Sequence, residues 1–229
     1  MKYDIILFDI DDTLLTLESD GTWQRMFTSL LAEQNLKATK QEYEAFLARN
    51  HLLWQQAENK KISVATVFNE RFDLPFLQDC PQTPAMFDRK FQNMQKKQMT
   101  PTAGAVSCCQ KLSSQMKLYT ASNGKQETQS PRIKNSSLGP FFQGIYTSEN
   151  LGAIKPQPEF FTKILQQIGC SDKSRVLMVG DTYDEDIVGA YNYGLDSCWL
   201  NLHQSPVPLD NLCTYQVSNL GKLPALIEE

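Results

Sequence analysis

Tyr3-Asp4-Ile5-Ile6-Leu7-Phe8-Asp9-Ile10-Asp11-Asp12-Thr13 opens on a short, unbroken apolar run. A run with no polar face suits a strand buried on both sides, as in a parallel sheet. Asp9 ends it, and the residues through Thr13 form a polar turn. In open α/β sheets, ligands collect at the carboxyl ends of strands. A turn carrying Asp9 and Asp11 two residues apart therefore stands where chemistry is done. Two carboxylates at that spacing suit a divalent, oxygen-seeking cation such as Mg²⁺. They equally suit a nucleophile paired with a general acid. A solvated acidic turn has the same sequence.

Further along, the texture changes twice. Between residues 20 and 98 the apolar residues fall at helical spacing: Trp23, Phe27, Leu30 and Leu31; Tyr43, Phe46, Leu47 and Trp54; Val64, Val67, Phe68 and Phe72; Phe87 and Phe91. This pattern predicts about four amphipathic helices. After Pro101, strands and helices alternate. Helix is expected over 103–115, strand at Lys117–Ala121, and a helix interrupted at Pro131. A strand follows near Ile145–Thr147, then helix over Glu159–Ile168 and strand over Val176–Val179. Helix over 183–193, strand over 196–200, and a short strand and helix beyond Leu212 complete the chain. Strands alternating with helices imply a parallel sheet flanked by helices. The reading is an α/β core made of residues 1–16 and 99–229, interrupted by an inserted helical cap over 17–98.

Composition narrows the partners. A net charge of −4 provides no general field for a nucleic-acid polymer or an anionic membrane. Any phosphate must be held locally. No apolar run reaches the length of about 18 residues that a membrane span needs. The run at residues 5–8 is too short for a signal-peptide core, so the expected location is the cytoplasm. The six cysteines (Cys80, Cys108, Cys109, Cys170, Cys198 and Cys213) contain no CxxC pair and read as reduced, mostly buried thiols. His51 and His203 are the only histidines, which leaves histidine-based catalysis short of candidates.

Three more places carry polar residues at the ends of expected strands. Ser122-Asn123-Gly124 offers a hydroxyl and backbone N–H groups that can hold a phosphate oxygen, or is an ordinary turn. Lys155, before Pro156 at the start of a helix, is a phosphate clamp or a surface lysine. Gly180-Asp181-Thr182-Tyr183-Asp184-Glu185-Asp186 offers a second acidic wall, or carboxylates that stabilise a helix N-terminus.

Together the four places resemble the haloacid dehalogenase (HAD) superfamily, whose motifs match Asp9-x-Asp11-x-Thr13, Ser122, Lys155 and Gly180-Asp181-x-x-x-x-Asp186. The resemblance spans essentially the whole chain. It implies a Rossmannoid core and a type C1 helical cap. It further implies a Mg²⁺- or Mn²⁺-dependent phosphomonoester hydrolase in the cytoplasm. On that likeness Asp9 is the nucleophile and forms an aspartyl-phosphate, while Asp11 is the general acid and base. Ser122, the Asn123 amide and Lys155 bind the phosphoryl oxygens, and Thr13 orders the turn. The metal is held by Asp9, the backbone carbonyl of Asp11, and Asp181, with Asp186 in support. A carboxyl at Asp11 disfavours dehalogenase chemistry, which has no leaving alkoxide to protonate. Asn50-His51-Leu52-Leu53-Trp54, Ser174–Asp181 and Gly194–Asn201 resemble the YjjG-type pyrimidine 5′-nucleotidase branch. That branch implies UMP, dUMP or dTMP as substrate. Other readings are a phosphoglycolate or sugar-phosphate phosphatase, a phosphomutase, and a receiver-like phospho-aspartate signalling module. The resemblance also implies that the cap closes over the strand ends and chooses the leaving group. Trp23 and Trp54 either stack on a base there or form bundle core.

Overall fold

The computed structural model describes residues 2–228. The chain divides into two compact units, Met1–Thr16 with Met99–Glu229, and Leu17–Gln98. The first unit holds strands β1 (Ile5–Phe8), β2 (Lys117–Ser122), β3 (Phe142–Thr147), β4 (Val176–Gly180), β5 (Asp196–Leu200) and β6 (Tyr215–Val217). They form one parallel sheet in the order β3-β2-β1-β4-β5-β6. The second unit contributes helices α1 (Thr22–Ala32), α2 (Lys40–Glu58), α3 (Val64–Glu70) and α4 (Pro84–Gln95). Back in the first unit follow α5 (Ala105–Ser113), α6 (Gln126–Asn135), α7 (Ser148–Leu151) and α8 (Pro158–Gln167). A π-helical segment (Tyr183–Val188) then leads into α9 (Gly189–Tyr193), and α10 (Leu223–Glu228) ends the described chain.

The period-two geometry of each strand sends alternate residues to opposite faces of the sheet. Ile6, Phe8, Leu118, Leu177, Val179, Cys198 and Leu200 share one buried cluster with α5 and α10, through Cys108, Cys109, Leu112, Leu223 and Ile227. Ile5, Leu7, Tyr119, Ala121, Val176 and Met178 share the other with Phe160, Phe161, Ile164 and Leu165 of α8. The unbroken apolar run of β1 is thus consumed on both faces. Ile6, Leu7 and Phe8 are all fully buried, and a phenylalanine such as Phe8 contributes about 1.5–3 kcal/mol by its burial. β1 lies at the centre of the sheet, with β2 and β4 as its neighbours. The chain order reverses there, which puts the topological switch point at the carboxyl end of β1.

Two features differ from the sequence-based expectation. The helix expected to break at Pro131 runs unbroken from Gln126 to Asn135. Proline removes one N–H from the helical ladder, and a ten-residue helix packed on the sheet tolerates that loss. The helix expected over 183–193 begins as a π-helical turn before becoming α-helical at Gly189. All six cysteines are free thiols. Cys108, Cys109 and Cys198 are buried, and the other three are partly exposed. His51 and His203 are both exposed. No helix among the described residues is long and apolar enough to cross a membrane.

In the helical unit, N-terminal caps start three of the four helices. Thr39 and Glu42 form a capping box on α2, Ser63 caps α3, and Thr83 caps α4 with Pro84 at its first position. The core is aromatic. Phe46 meets Phe72 at 4.8 Å, Phe27 at 5.2 Å, Phe91 at 5.6 Å and Trp23 at 5.8 Å between ring centroids. Trp23 is therefore bundle core, and half-buried Trp54 packs edge-on against Phe68. Within this core lies a buried ion pair. Arg71 Nη2 is 2.5 Å from Asp88 Oδ1, each side chain being 2% exposed. Removing one member of such a pair strands the other's charge. Asp88→Ala is expected to cost about 3–5 kcal/mol in urea unfolding of the full chain. The joint replacement Arg71→Met with Asp88→Leu is expected to cost far less. Equal losses would contradict this account of the pair.

Candidate active site

β1 and β4 run side by side with Phe8 opposite Val179, and the Asp9 N–H donates to the Val179 carbonyl at 2.9 Å. Asp9 and Asp181, each the first residue beyond its strand, therefore leave the sheet together. The turn after Asp9 is held by its own backbone. Leu14 and Leu15 both donate to the Ile10 carbonyl at 2.9 Å, and Asp12 donates to that of Leu15 at 2.8 Å. Asp12 sits in the left-handed region at φ 57°, which aspartate tolerates better than most residues. Thr13 does more than order this turn. Its hydroxyl donates to Asp181 Oδ1 at 2.9 Å, and its carbonyl accepts from Thr102 Oγ1 at 2.5 Å. Asp181 is tethered a second time, because Trp199 Nε1 of β5 donates to its carbonyl at 2.9 Å.

Lys155 binds the two sides of the site together. Its Nζ donates to Asp9 Oδ1 at 2.7 Å and to Asp186 Oδ1 at 2.6 Å, which leaves one N–H of the ammonium group. The other carboxylate oxygen of Asp186 accepts from Thr182 N at 3.1 Å. Asp186 approaches because Gly180 has no side chain: a Cβ there would overlap the Asp186 carboxyl group. The Lys155 backbone is clamped by Asn123, whose Oδ1 accepts from Lys155 N at 2.8 Å and whose Nδ2 donates to the Lys155 carbonyl at 3.0 Å. Nδ2 also donates to Glu185 Oε2 at 2.8 Å. The Asn123 side chain is thus a strut between loops.

Ser122 ends β2, next to β1. Its Oγ accepts from Gly124 N at 3.1 Å and from Gln129 Nε2 at 3.2 Å. Both lone pairs are used, which leaves the hydroxyl hydrogen to donate, the polarity that an anion requires. The Asp11 carboxylate is held from α6, where it accepts from Arg132 Nη1 and, at 2.6 Å, from Gln129 Nε2. The sequence reading did not single out Gln129, Arg132, Glu185 or Trp199. The one visible signal was that Gln129 and Arg132 share a helix face three residues apart, just after Ser122-Asn123-Gly124.

Electrostatically the site is short of positive charge. Carboxylate oxygens of Asp9, Asp181 and Asp186, one from each, all lie within 4.8 Å of one another, and Lys155 is the cation among them. Burial raises the Asp9 pKa, and Asp186 and Asp11 add to the rise against the pull of Lys155. Asp181 is pushed well up by desolvation and by Asp9 and Asp186. Burial raises Asp186 too, opposed by Lys155. Burial would lower Lys155, but Asp186, Asp9 and Glu185 outweigh it and raise its pKa. An all-oxygen donor set in excess of its own cation fits a hard divalent ion.

The whole of this geometry belongs to one matched region. The family model described as haloacid dehalogenase-like hydrolase covers residues 6–200. The pyrimidine 5′-nucleotidase YjjG of Escherichia coli is 34% identical over 99% of both chains. The pyrimidine 5′-nucleotidase PynA of Streptococcus pneumoniae is 32% identical over 95% of this chain and 92% of its own. Among solved structures, that of the HAD-hydrolase YfnB of Bacillus subtilis bound to magnesium superimposes with a TM-score of 0.89, covering 100% of both chains at 28% identity.

Gly180→Ala tests the packing behind Lys155. The added methyl group must displace Asp186, so the substitution is expected to cost about 1–3 kcal/mol, as overpacking does, and to lower the melting temperature. An unchanged melting temperature would contradict the close approach.

Proposed function

The chain belongs to the haloacid dehalogenase-like hydrolases, and on that premise we propose that it is a Mg²⁺-dependent phosphatase of pyrimidine nucleoside 5′-monophosphates such as UMP, dUMP and dTMP. The observation that carries the chemistry is the Lys155 ammonium seated between Asp9 and Asp186 beside Asp181. The choice of substrate is supported by the two relatives named pyrimidine 5′-nucleotidases, which align over nearly the full chain. Metal use is supported by the acidic cluster and by the magnesium named for YfnB.

Asp9, Asp181 and the Asp11 carbonyl would hold Mg²⁺, or Mn²⁺ in its place, with Asp186 in support. When bound, the ion would offset the negative charge of the phosphoryl group and of the carboxylates. An Asp9 carboxylate oxygen attacks phosphorus while the bond from phosphorus to the leaving oxygen breaks. Asp11 starts the cycle as the carboxylic acid and gives its proton to that oxygen, releasing the nucleoside and becoming the carboxylate. Water then attacks the aspartyl-phosphate and gives a proton to Asp11. The bond from phosphorus to Asp9 breaks, which frees inorganic phosphate and restores both carboxylates to their starting states. The remaining N–H of Lys155, the Ser122 hydroxyl and the Asn123 backbone N–H hold the phosphoryl oxygens and favour the transition state electrostatically. Leaving-group choice is assigned to the helical unit Leu17–Gln98, which interrupts the α/β pattern directly after the first motif.

The test is phosphate release from UMP, dUMP, dTMP, CMP, AMP, phosphoglycolate and sugar phosphates, with Mg²⁺ and with EDTA. Activity is expected to be metal-dependent, highest on the pyrimidine nucleotides and absent in Asp9→Asn. Asp11→Asn is expected to lose about 10²–10⁴-fold in turnover, the usual contribution of a general acid–base group. Activity centred on phosphoglycolate or sugars would keep the catalytic residues and reject the nucleotide reading. A protein that takes up a phosphoryl group without turning over would be a signalling module.

A further inference from the structure

The Asp11 carboxylate is gripped at both oxygens from α6. Arg132 Nη1 donates to Oδ1, and Gln129 Nε2 donates to Oδ2 at 2.6 Å. The same Arg132 nitrogen donates to Gln129 Oε1 at 2.7 Å. That contact fixes the amide: its oxygen meets the guanidinium, so its NH₂ group faces the carboxylate. Gln129 and Arg132 are 1% and 0% exposed, whereas the Asp11 side chain keeps 32% of its surface open. The grip therefore comes from the protein interior and leaves one side of the carboxylate to a ligand.

A buried guanidinium is a poor choice for packing a helix on a sheet. Its desolvation is costly, and an apolar side chain of similar volume generally does as well or better. Gly124 belongs to the same arrangement, because a Cβ there would come within 2.5 Å of Gln129 Nε2. The glycine leaves room for the amide to seat. Three residues of one segment, Gly124, Gln129 and Arg132, are thus fitted to a single carboxylate on the neighbouring turn.

We infer that Gln129 and Arg132 are positioning residues that aim the Asp11 carboxylate at the proton it transfers. The inference rests on the proposed reading of Asp11 as the acid–base group and deepens it. Arg132 acts through Asp11, and Gln129 acts through Asp11 and, by its bond to the Ser122 hydroxyl, through Ser122. Proton transfer needs a donor and acceptor in hydrogen-bond reach and good alignment, and small misplacements of a reacting group cost large factors in rate. A carboxylate on a short turn, free about its side-chain bonds, would sample several orientations. Bonds to both oxygens leave it one.

The experiment is a double-mutant cycle, measured with p-nitrophenyl phosphate and UMP in the presence of Mg²⁺. Arg132→Met and Gln129→Leu are each placed in the native chain and in Asp11→Asn. In the native chain each is expected to lower kcat by about ten- to a hundredfold, as loss of an orienting partner does, with a smaller change in KM. In the Asp11→Asn background Arg132→Met is expected to change kcat less than about twofold, because the group it aims has lost its function. Gln129→Leu is expected to leave there only a rise in KM, through its bond to Ser122. Thermal melting checks each fold, and if Arg132→Met fails to fold, Gln129→Leu, which removes a neutral group, carries the test. Losses that multiply in the Asp11→Asn background would show an ordinary structural role and overturn the inference, as would single variants with unchanged kcat. Asp11→Asn with native turnover is a separate result: it would reject the acid–base reading itself, and the inference with it.

Discussion

One buried ammonium group organises the site. Lys155 is 1% exposed and Asp186 is fully buried, and neither charge would be tolerable there alone. The pair persists because Nζ satisfies Asp186 and Asp9 at once. It thereby joins the loop before α8, the π-helical turn after β4 and the end of β1. Much of the surrounding structure serves this one contact. Asn123 grips the Lys155 backbone at both its N–H and its carbonyl. Gly180 omits the side chain that would displace Asp186. Thr13 and Trp199 hold Asp181 close by.

The arrangement is stable only in part on its own account. One lysine balances the proximity of three carboxylates incompletely, and Asp9, Asp181 and Asp186 are all pushed toward protonation by burial and, for Asp9 and Asp181, by neighbouring carboxylates. A nucleophilic carboxylate must be ionised, so the proposed function needs further positive charge. A divalent cation meets that need, and the dianionic substrate then enters a site whose charge is closer to balance. The proposed roles divide by location. Asp9 faces Lys155 and the acidic cluster. Asp11, two residues on, is held by Arg132 and Gln129.

Much of this was legible in the sequence, for physical reasons. A strand buried on both faces must be apolar throughout, and Ile5–Phe8 and Val176–Val179 are. Ligands gather at strand ends, so Asp9, Ser122 and Asp181 announced themselves by following apolar runs, and Lys155 and Asp186 completed a spacing that resembles a known family. What stayed hidden depends on side chains meeting across the fold. Gln129 and Arg132 were not visible as site residues, because composition does not show which face of a helix turns inward. The buried Arg71–Asp88 pair is hidden for the same reason. Pro131 suggested a break because local preference disfavours proline inside helices, and packing of Ile133 against the sheet overrides that preference. The π-helical start at Tyr183–Val188 likewise has no local signature.

The central claim is that Asp9 carries the phosphoryl group between the two half-reactions. The most direct test is to mix enzyme, Mg²⁺ and a phosphomonoester substrate, quench in acid within one turnover, and locate the covalent phosphate by peptide mass spectrometry. The account predicts a phosphoryl group on the peptide containing Asp9, acid-stable, lost on hydroxylamine treatment and absent in Asp9→Asn. Turnover that proceeds with no phosphoryl group on Asp9, and that survives Asp9→Asn, would contradict it.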